Sequence, residues 1–323
     1  MQIQRSSGVK RLQSLIIIGG AALSSCSTTN SGRDIAVLPL TAQNEYLVEA
    51  QVRGRTLRLR VDPSAPGNIL INGSVARSLG LEGSINTTFQ VGPVQLKGTT
   101  RTERITVTGV EGVQPIMWFD HEMVSGADGT INPARLSARR VLMKLGNPVP
   151  GEIEFALPME FDEERGLYHS AGFARDTLLA RFTLSDRLTT ATGATAAELA
   201  KRAGGEWAGD IFTYPVRYGI RRPVRMMLLN QPVTIMRFEL SRIAVRIRDN
   251  VGGHILPRDF QPEPQADDVT IVGKAPRRRF GEAQHWLMIG RDDLGGCSSV
   301  TYDRKSSSLI FRCRPAHLAG AAI

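Results

Sequence analysis

The sequence predicts a mainly β protein built from two similar lobes. Apolar and polar residues alternate over short runs, turn residues separate pairs of these runs, and one order of elements occurs twice along the chain. Alternation with a period of two is typical of strands that bury one face. A chain of 323 residues is long enough for two domains of ordinary size. We therefore expect two tandem lobes built mainly from β-strands.

The first lobe is predicted over residues 45–157. The runs YLVEAQV and TLRLRVD form a hairpin around RGR, and Asp62 then opens a loop of small residues, DPSAPG. The segment 74–79 reads as a short helix, because a serine begins it and Gly80 ends it. The lobe closes with a second predicted hairpin, RVLMKL with EIEFALP, around the turn GNPVPG.

The second lobe is predicted over residues 176–313 and repeats this order. We interpret LLARFTL and LTTATG as strands that flank a hairpin turn, SDR. The small-residue loop ATGA then precedes a helix, AELAKRA, which ends at two glycines. An isoleucine lies five residues before a leucine in both halves, Ile131 before Leu136 and Ile289 before Leu294. The shared order of common elements indicates an internal repeat.

These segments resemble the retropepsin-like and pepsin-like aspartic proteases. LRLRVDPSAPGNILINGSVARSLGL resembles the opening half of a lobe in that family, in which a strand delivers Asp-Thr-Gly before a short helix. WLMIGRDDLGGCSSVTYDRKSSSLIF resembles the closing half. The resemblance implies a mainly β, bilobal aspartic-protease-like fold with two tandem retropepsin-like β-barrel lobes, and no cofactor is expected. It also implies a cleft that holds an extended peptide by strand-like hydrogen bonds. Because one chain supplies both lobes, we expect a monomer.

The family mechanism uses two carboxylates that share one proton, because like charges at close range cannot both ionise. The resemblance places Asp62 at the first of them, while Pro63 and Ser64 replace the family's threonine and glycine. In the second half ATGA is the best match, and Ala191 stands where the second aspartate would be. Alanine carries no proton, so we expect a catalytically degenerate site. The residues that would support the two loops are Ser64, Thr192 and Gly193.

Two other aspartates keep an active endopeptidase open as an alternative. Asp186 precedes Gly204 by 18 residues, and Asp62 precedes Gly80 by the same number. Asp249 follows the alternating run VRIR and precedes glycines, as in the Asp62 loop. Two further interpretations also remain. Asp62 is a turn-capping residue in one of them, and the chain is a purely structural lipoprotein in the other.

The N-terminus predicts export and a lipid anchor. Residues 1–25 have a positive start and the apolar run LIIIGGAAL, which fits a signal peptide and is too short for a membrane span. The end of this segment, LSSC, resembles a bacterial lipobox, which implies lipidation of Cys26. Ser27 at the next position implies the periplasmic face of the outer membrane, and residues 26–44 are interpreted as a tether.

The charge of the chain does not indicate a nucleic-acid partner. Removal of the signal peptide takes away three positive charges and no negative ones, so the formal net charge falls from +9 to +6. An exported protein rarely meets nucleic acid, and the excess arginine is better interpreted as a solvated surface. The expected partners are a peptide or protein ligand and, through the lipidated cysteine, the membrane.

Cys297 and Cys313 are predicted to form a disulfide across one hairpin, with Val300 facing Ile310. The periplasm is oxidising, and the two cysteines are equally far from the turn between them. Closing a loop of this length is worth roughly 3 kcal/mol in the chain-entropy account. No histidine pair at ligand spacing accompanies the cysteines, so no metal site is predicted. The tail, residues 314–323, is expected to pack little.

Overall fold

The computed structural model describes residues 37–83, 85–91, 94–174, 176–247 and 285–318. The predicted signal peptide, the lipidation site at Cys26 and the candidate carboxylate Asp249 lie outside these residues. Within them the chain is mainly β, as the alternating runs predict. No helix in the described ranges is long and apolar enough to cross a bilayer.

The strands alternate with few helices along the chain. In the first half they are β1 Val37–Thr41, β2 Leu47–Val52, β3 Arg55–Val61, β4 Ile69–Ile71, β5 Ile85–Val91, β6 Val94–Val107, β7 Val110–Trp118, β8 Gly129–Ile131, β9 Arg140–Lys144 and β10 Ile153–Pro158. In the second half they are β11 Glu160–Asp162, β12 Gly166–Phe173, β13 Asp176–Phe182, β14 Thr190–Ala191, β15 Gly205–Arg217, β16 Ile220–Ile235, β17 Phe238–Arg246, β18 His285–Ile289, β19 Cys297–Asp303 and β20 Ser308–Cys313. The α-helices are α1 Gly73–Ser78 and α2 Gly193–Ala203, and 3-10 turns occupy Ala42–Asn44, Pro133–Arg135, Arg291–Leu294 and Pro315–His317.

Seven strands form the first sheet, in the order β2-β3-β8-β4-β7-β6-β5. A further pairing between β2 and β6 closes six of these strands into a barrel. Strand β3 runs parallel to β8, whereas β4 runs antiparallel to β8 on its other side. The chain therefore leaves β3, passes the end of β8 and returns on the far side of that strand.

The second sheet has the order β11-β12-β13-β18-β14-β17-β16-β15. Apart from β11, this order repeats that of the first sheet, with β12 in the place of β2, β13 in that of β3 and β18 in that of β8. The order of elements that indicated an internal repeat is thus present in the strand pairing. The repeat begins at β12, ahead of the boundary that the sequence predicted at residue 176.

A third sheet, which we call the linking sheet, has the order β1-β9-β19-β20-β10. The predicted hairpin of RVLMKL with EIEFALP is wrong, because β19 and β20 lie between β9 and β10. Strand β1 pairs in parallel with β9, so residues 37–41 of the predicted tether belong to the linking sheet. Leu318 in the predicted tail is also buried and forms a bridge with Phe238.

The disulfide between Cys297 and Cys313 is present, as predicted. The two cysteines are register partners in the β19–β20 hairpin. A bulge between Cys297 and Ser299 then shifts the register by one residue, so Val300 pairs with Phe311 and not with Ile310 as predicted. An extra residue in one strand produces such a shift.

Four aromatic side chains join the second sheet to the linking sheet. Phe182 and Phe238 of the second sheet pack on Phe155 and Phe311 of the linking sheet, with ring centroids 4.8–5.8 Å apart. Such pairs contribute about 0.5–1.5 kcal/mol each beyond the apolar area that they bury. The cluster lies in a core that is continuous with that of the barrel.

Candidate functional site

The candidate site consists of two loops that leave corresponding strands. The first loop, residues 62–68, joins β3 to β4, and the second loop, residues 183–189, joins β13 to β14. Each loop passes the end of the strand that separates its two flanking strands, β8 in the first sheet and β18 in the second. The repeated strand order therefore gives the two loops equivalent positions.

Asp62 and Thr183 are the equivalent residues of the two loops. Val61 at the end of β3 is paired with Ile131, and the following N–H, that of Asp62, donates to the Ile131 carbonyl at 3.2 Å. In the second sheet the N–H of Thr183 donates to the Ile289 carbonyl at 3.0 Å in the same way. The position that matches Asp62 in the repeat is thus held by a threonine.

The predicted alignment of Ala191 with Asp62 is wrong. Ala191 lies in β14, where its register matches that of Ile71 in β4. Thr192 and Gly193 follow it as the N-cap and first residue of α2, beyond the end of the second loop. The alignment depends on a hairpin turn at residues 185–187. These residues do not form one, because β18 lies between β13 and β14 in the sheet.

The Asp62 carboxylate is buried, with 3% of the residue exposed, and accepts hydrogen bonds from both loops. Its Oδ1 accepts from the N–H of Ser64, within the first loop, at 2.7 Å. Its Oδ2 accepts four hydrogen bonds from the second loop: Thr183 Oγ1 at 3.1 Å, Leu184 N at 3.0 Å, Ser185 N at 2.8 Å and Ser185 Oγ at 2.6 Å. Five donors match an ionised carboxylate, which only accepts. They also offset the cost of burying its charge.

Asp186 follows directly and has the most shifted carboxyl pKa of the site. Burial, and after it the negative charge of Asp62, raise the pKa of Asp186 from 3.8 to about 7, although Arg60 acts in the opposite direction. Among the described residues, none donates a hydrogen bond to its side chain, whereas its backbone N–H donates to Thr183 Oγ1 at 3.2 Å. The Asp186 carboxyl therefore titrates near neutral pH, and it does not supply any of the five hydrogen bonds that Asp62 accepts.

Two buried side chains hold the first loop from outside it. Arg181 in β13 is 2% exposed and donates to the carbonyl of Ser64. Asn132, directly after β8, donates to the carbonyls of Pro63 at 3.1 Å and Ala65 at 2.6 Å. The second sheet thus holds the first loop through the hydrogen bond of Arg181, and the first loop holds the second loop through the Asp62 carboxylate.

The second loop is held by the 3-10 turn that follows β18. The N–H of Arg291 donates to the carbonyl of Asp186 at 2.9 Å. Thr189 donates to the carboxylate of Asp293, whose pKa is raised by its burial, and accepts from the N–H of Gly290 at 2.9 Å. Both loops are consequently fixed by backbone and side-chain contacts before any ligand is considered.

The chain's own segment 163–166 lies against the first loop. The N–H of Gly67 donates to the carbonyl of Glu163 at 3.0 Å. A Cβ atom at Gly67 would lie 2.6 Å from the Cα of Glu163, and one at Gly166 would lie 2.1 Å from the carbonyl oxygen of Ala65. Both contacts are closer than any side chain allows, so glycine is required at both positions.

Thr183, Ser185, Arg181 and Asn132 contact the two loops of the candidate site and are absent from the sequence prediction. A signal for three of them is present, because RVDPS at 60–64 and RFTLS at 181–185 share an arginine and a serine at the same spacing. Both motifs end an alternating strand and begin a loop.

The described part of the chain contains no group of three or more histidine, cysteine, aspartate or glutamate side chains that could hold a metal ion. No protein-family model matches the chain, and no curated protein matches it at a significant level.

Proposed function

We propose that this protein is a non-catalytic relative of the aspartic proteases that binds an extended peptide or protein segment at the cell envelope. The bilobal, retropepsin-like arrangement belongs to this proposal, as does attachment to the periplasmic face of the outer membrane through lipidated Cys26. The observation that carries it is the pairing of Asp62 with Thr183, at the two positions where the family mechanism uses two aspartates.

The hydrogen bonds of Asp62 argue against catalysis. Four donors from the second loop converge on Oδ2, which has two lone pairs, and Ser64 donates to Oδ1. A catalytic water would therefore have to bind at Oδ1, because Oδ2 is taken up by contacts that join the two loops. The threonine hydroxyl at position 183 donates to the carboxylate and cannot take the place of a second carboxyl group.

The edges of the two repeated sheets support binding of an extended segment. The seven-residue β5 ends the first sheet and the thirteen-residue β15 ends the second. Within the described residues, neither strand has a partner on its outer side. Such edges present unpaired N–H and C=O groups, to which a peptide can add as a further strand.

The test is a peptide-library digest by soluble protein that begins at Ser27, from acid to neutral pH. We expect no cleavage by the wild type, and equal results for Asp62→Asn and for the exposed-site control Asp210→Asn. Binding of the same library, measured by pull-down and mass spectrometry, should be retained by folded wild type. Cleavage that disappears in Asp62→Asn alone would overturn the proposal.

One observation favours a second candidate, an active aspartic endopeptidase. The pKa of Asp186 is raised to about 7 beside the charge of Asp62, which brings together one protonated and one ionised carboxyl group at neutral pH. If this pair is catalytic, Asp186→Asn abolishes cleavage as fully as Asp62→Asn does. Asp249→Asn belongs in the same series, because Asp249 is the other carboxylate that the sequence proposes.

A further inference from the structure

The tip of the β15–β16 hairpin is the starting point. Tyr218 and Gly219 form a two-residue turn with φ values of +52° and +70°, as in type I′ hairpins. Positive φ is uncommon for a bulky residue, and Tyr218 is nevertheless held in this conformation. Gly219 allows a close approach, since a Cβ atom there would lie 2.8 Å from the carbonyl oxygen of Glu122. The tip is therefore fitted against the first sheet.

Tyr218 fills a pocket in the first sheet that we call the aromatic pocket, formed by Leu70, Phe89, Met117 and Phe119. Its ring centroid lies 5.1 Å from that of Phe89 and 5.2 Å from that of Phe119, and the residue is buried. The Nε2–H of His121 donates to the Tyr218 carbonyl at 2.8 Å. One side chain of the second repeat thus occupies an apolar site that belongs to the first.

Arg217, the residue before Tyr218, lies near a second positive charge, that of Arg181. Arg217 and the buried Arg181 both lie over the indole ring of Trp286, at 5.9 and 6.0 Å from its centroid. Burial, and after it the charge of Arg217, lower the pKa of Arg181 from 12.5 to about 9, although Tyr218 and the charges of Asp62 and Asp162 act in the opposite direction. The Nε atoms of both arginines are buried without a hydrogen-bond partner in the described chain. Among the described residues, no carboxylate forms an ion pair with either side chain.

Arg217 has only weak compensation for this repulsion. It donates to the neutral backbone carbonyl of Glu164 at 2.5 Å and lies over the Tyr218 ring at 4.4 Å. The hairpin tip therefore fits the aromatic pocket in shape through Tyr218, but it brings the positive charge of Arg217 close to that of Arg181. Two like charges near each other in a partly buried site repel, whereas an arginine and a carboxylate form a short, charge-assisted contact.

We propose that the hairpin tip is an internal competitor for a peptide, and that the ligand places an aromatic side chain in the aromatic pocket and a carboxylate beside Arg181. The ligand reproduces the contact of Tyr218 and replaces the charge of Arg217 by its opposite. Binding requires the tip to leave, so apparent affinity depends on the fraction of molecules in which it is open. This inference rests on the proposed peptide-binding function and specifies the ligand.

The first experiment measures how often the hairpin tip opens without any ligand, from the hydrogen-exchange rates of the amides at 217–220. We expect Arg217→Glu to slow exchange, because it forms an ion pair with Arg181, and Tyr218→Ala to accelerate it. Arg217→Gln is the control that removes charge without reversing it, and its rate should lie between those of the wild type and Arg217→Glu. Equal exchange in the wild type and Arg217→Glu would contradict the repulsion on which the proposal depends.

The second experiment uses labelled synthetic peptides with a central Glu-Phe, Lys-Phe or Glu-Ala, and fluorescence anisotropy. Glu-Phe should bind about tenfold more tightly than either other peptide, a difference of about 1.4 kcal/mol. It should bind more tightly to Tyr218→Ala and more weakly to Arg217→Glu than to the wild type. Equal affinity for Glu-Phe and Lys-Phe would overturn the ligand assignment. Asp62-dependent cleavage of the peptides would instead overturn the proposed non-catalytic function. The exchange rates would still show whether repulsion between Arg217 and Arg181 favours opening of the hairpin tip.

Discussion

The hydroxyl of Thr183 donates to the carboxylate of Asp62 at 3.1 Å, and these two residues hold the same position in two sheets that share one strand order. Each backbone N–H also donates to an isoleucine carbonyl of the neighbouring strand in the same way. The pair is thus related by the internal repeat and joined by a direct hydrogen bond. We call this pair the clamp, because the Thr183 hydroxyl donates and the Asp62 carboxylate accepts, so the hydrogen bond joins the two loops.

Removing the clamp should destabilise the fold. Asp62→Ala removes the acceptor of two buried donors, the N–H of Leu184 and the hydroxyl of Thr183, and each unsatisfied buried donor costs about 1–3 kcal/mol. We expect a loss of about 3 kcal/mol or more in the free energy of unfolding, measured by urea denaturation. Asp210→Ala, at an exposed position, should change it by less than about 0.5 kcal/mol. Equal stability of the two variants would show that Asp62 is not a clamp.

Substitutions of Thr183 separate its hydroxyl from its shape. Thr183→Val keeps the side chain's branching but removes the donor to Asp62, so we expect a loss of about 1–2 kcal/mol in the free energy of unfolding. Thr183→Ser keeps the hydroxyl and should cost less than Thr183→Val. Urea denaturation of both variants checks the order. A more stable Val variant would mean that packing, and not the hydrogen bond, explains the residue.

Reduction of the Cys297–Cys313 disulfide should lower stability. The bridge closes a separation of 16 residues between two adjacent inner strands of the linking sheet, β19 and β20. The chain-entropy account gives about 3 kcal/mol for such a loop. Thermal unfolding with and without reductant measures the effect, and Cys297→Ser with Cys313→Ser serves as the non-reducible control. If the reductant lowers the melting temperature of the double variant as much as that of the wild type, the effect does not come from this bridge.

Local patterns in the sequence predicted the strands well but not all of their pairings. The alternating runs and the repeated Ile-to-Leu spacing correspond to strands and 3-10 turns that the structure contains. The pairing of β13 with β18 joins residues about a hundred positions apart, for example Phe182 with Ile289. Turn residues between β13 and β14 resemble those of a hairpin, and nothing local shows that a distant strand lies between them.

The candidate site shows the same limit. Asp62 was recognised because a strand delivers a carboxylate into a loop of small residues, and that reasoning is purely local. Thr183 carries no charge, so a search for carboxylates does not find it, although RVDPS and RFTLS share a pattern that marks its position. Asp186 was singled out by its spacing from Gly204, but its raised pKa depends on burial and on Asp62, which only the folded chain brings together.

The pKa of Asp186 makes stability depend on pH in an unusual direction. An aspartate of the unfolded chain titrates near 3.8, whereas in the folded protein Asp186 keeps its proton until about pH 7. Between these values the folded state binds more protons than the unfolded state, so this group's contribution falls as pH rises. The contribution is complete below about pH 3.8 and is lost as pH passes about 7. Most paired carboxylates contribute in the opposite sense.

Asp186→Asn should remove this dependence, because an amide does not titrate. Relative to the wild type, the variant should gain about 1–2 kcal/mol in the free energy of unfolding between acid and neutral pH, after allowance for the partial exposure of the side chain. Urea denaturation at a series of pH values measures the difference, and Asp210→Asn, at an exposed position, should follow the wild-type curve. If the Asp186→Asn and wild-type curves remain parallel across this range, the Asp186 carboxyl does not hold its proton beside Asp62, and the second candidate function loses its protonated partner.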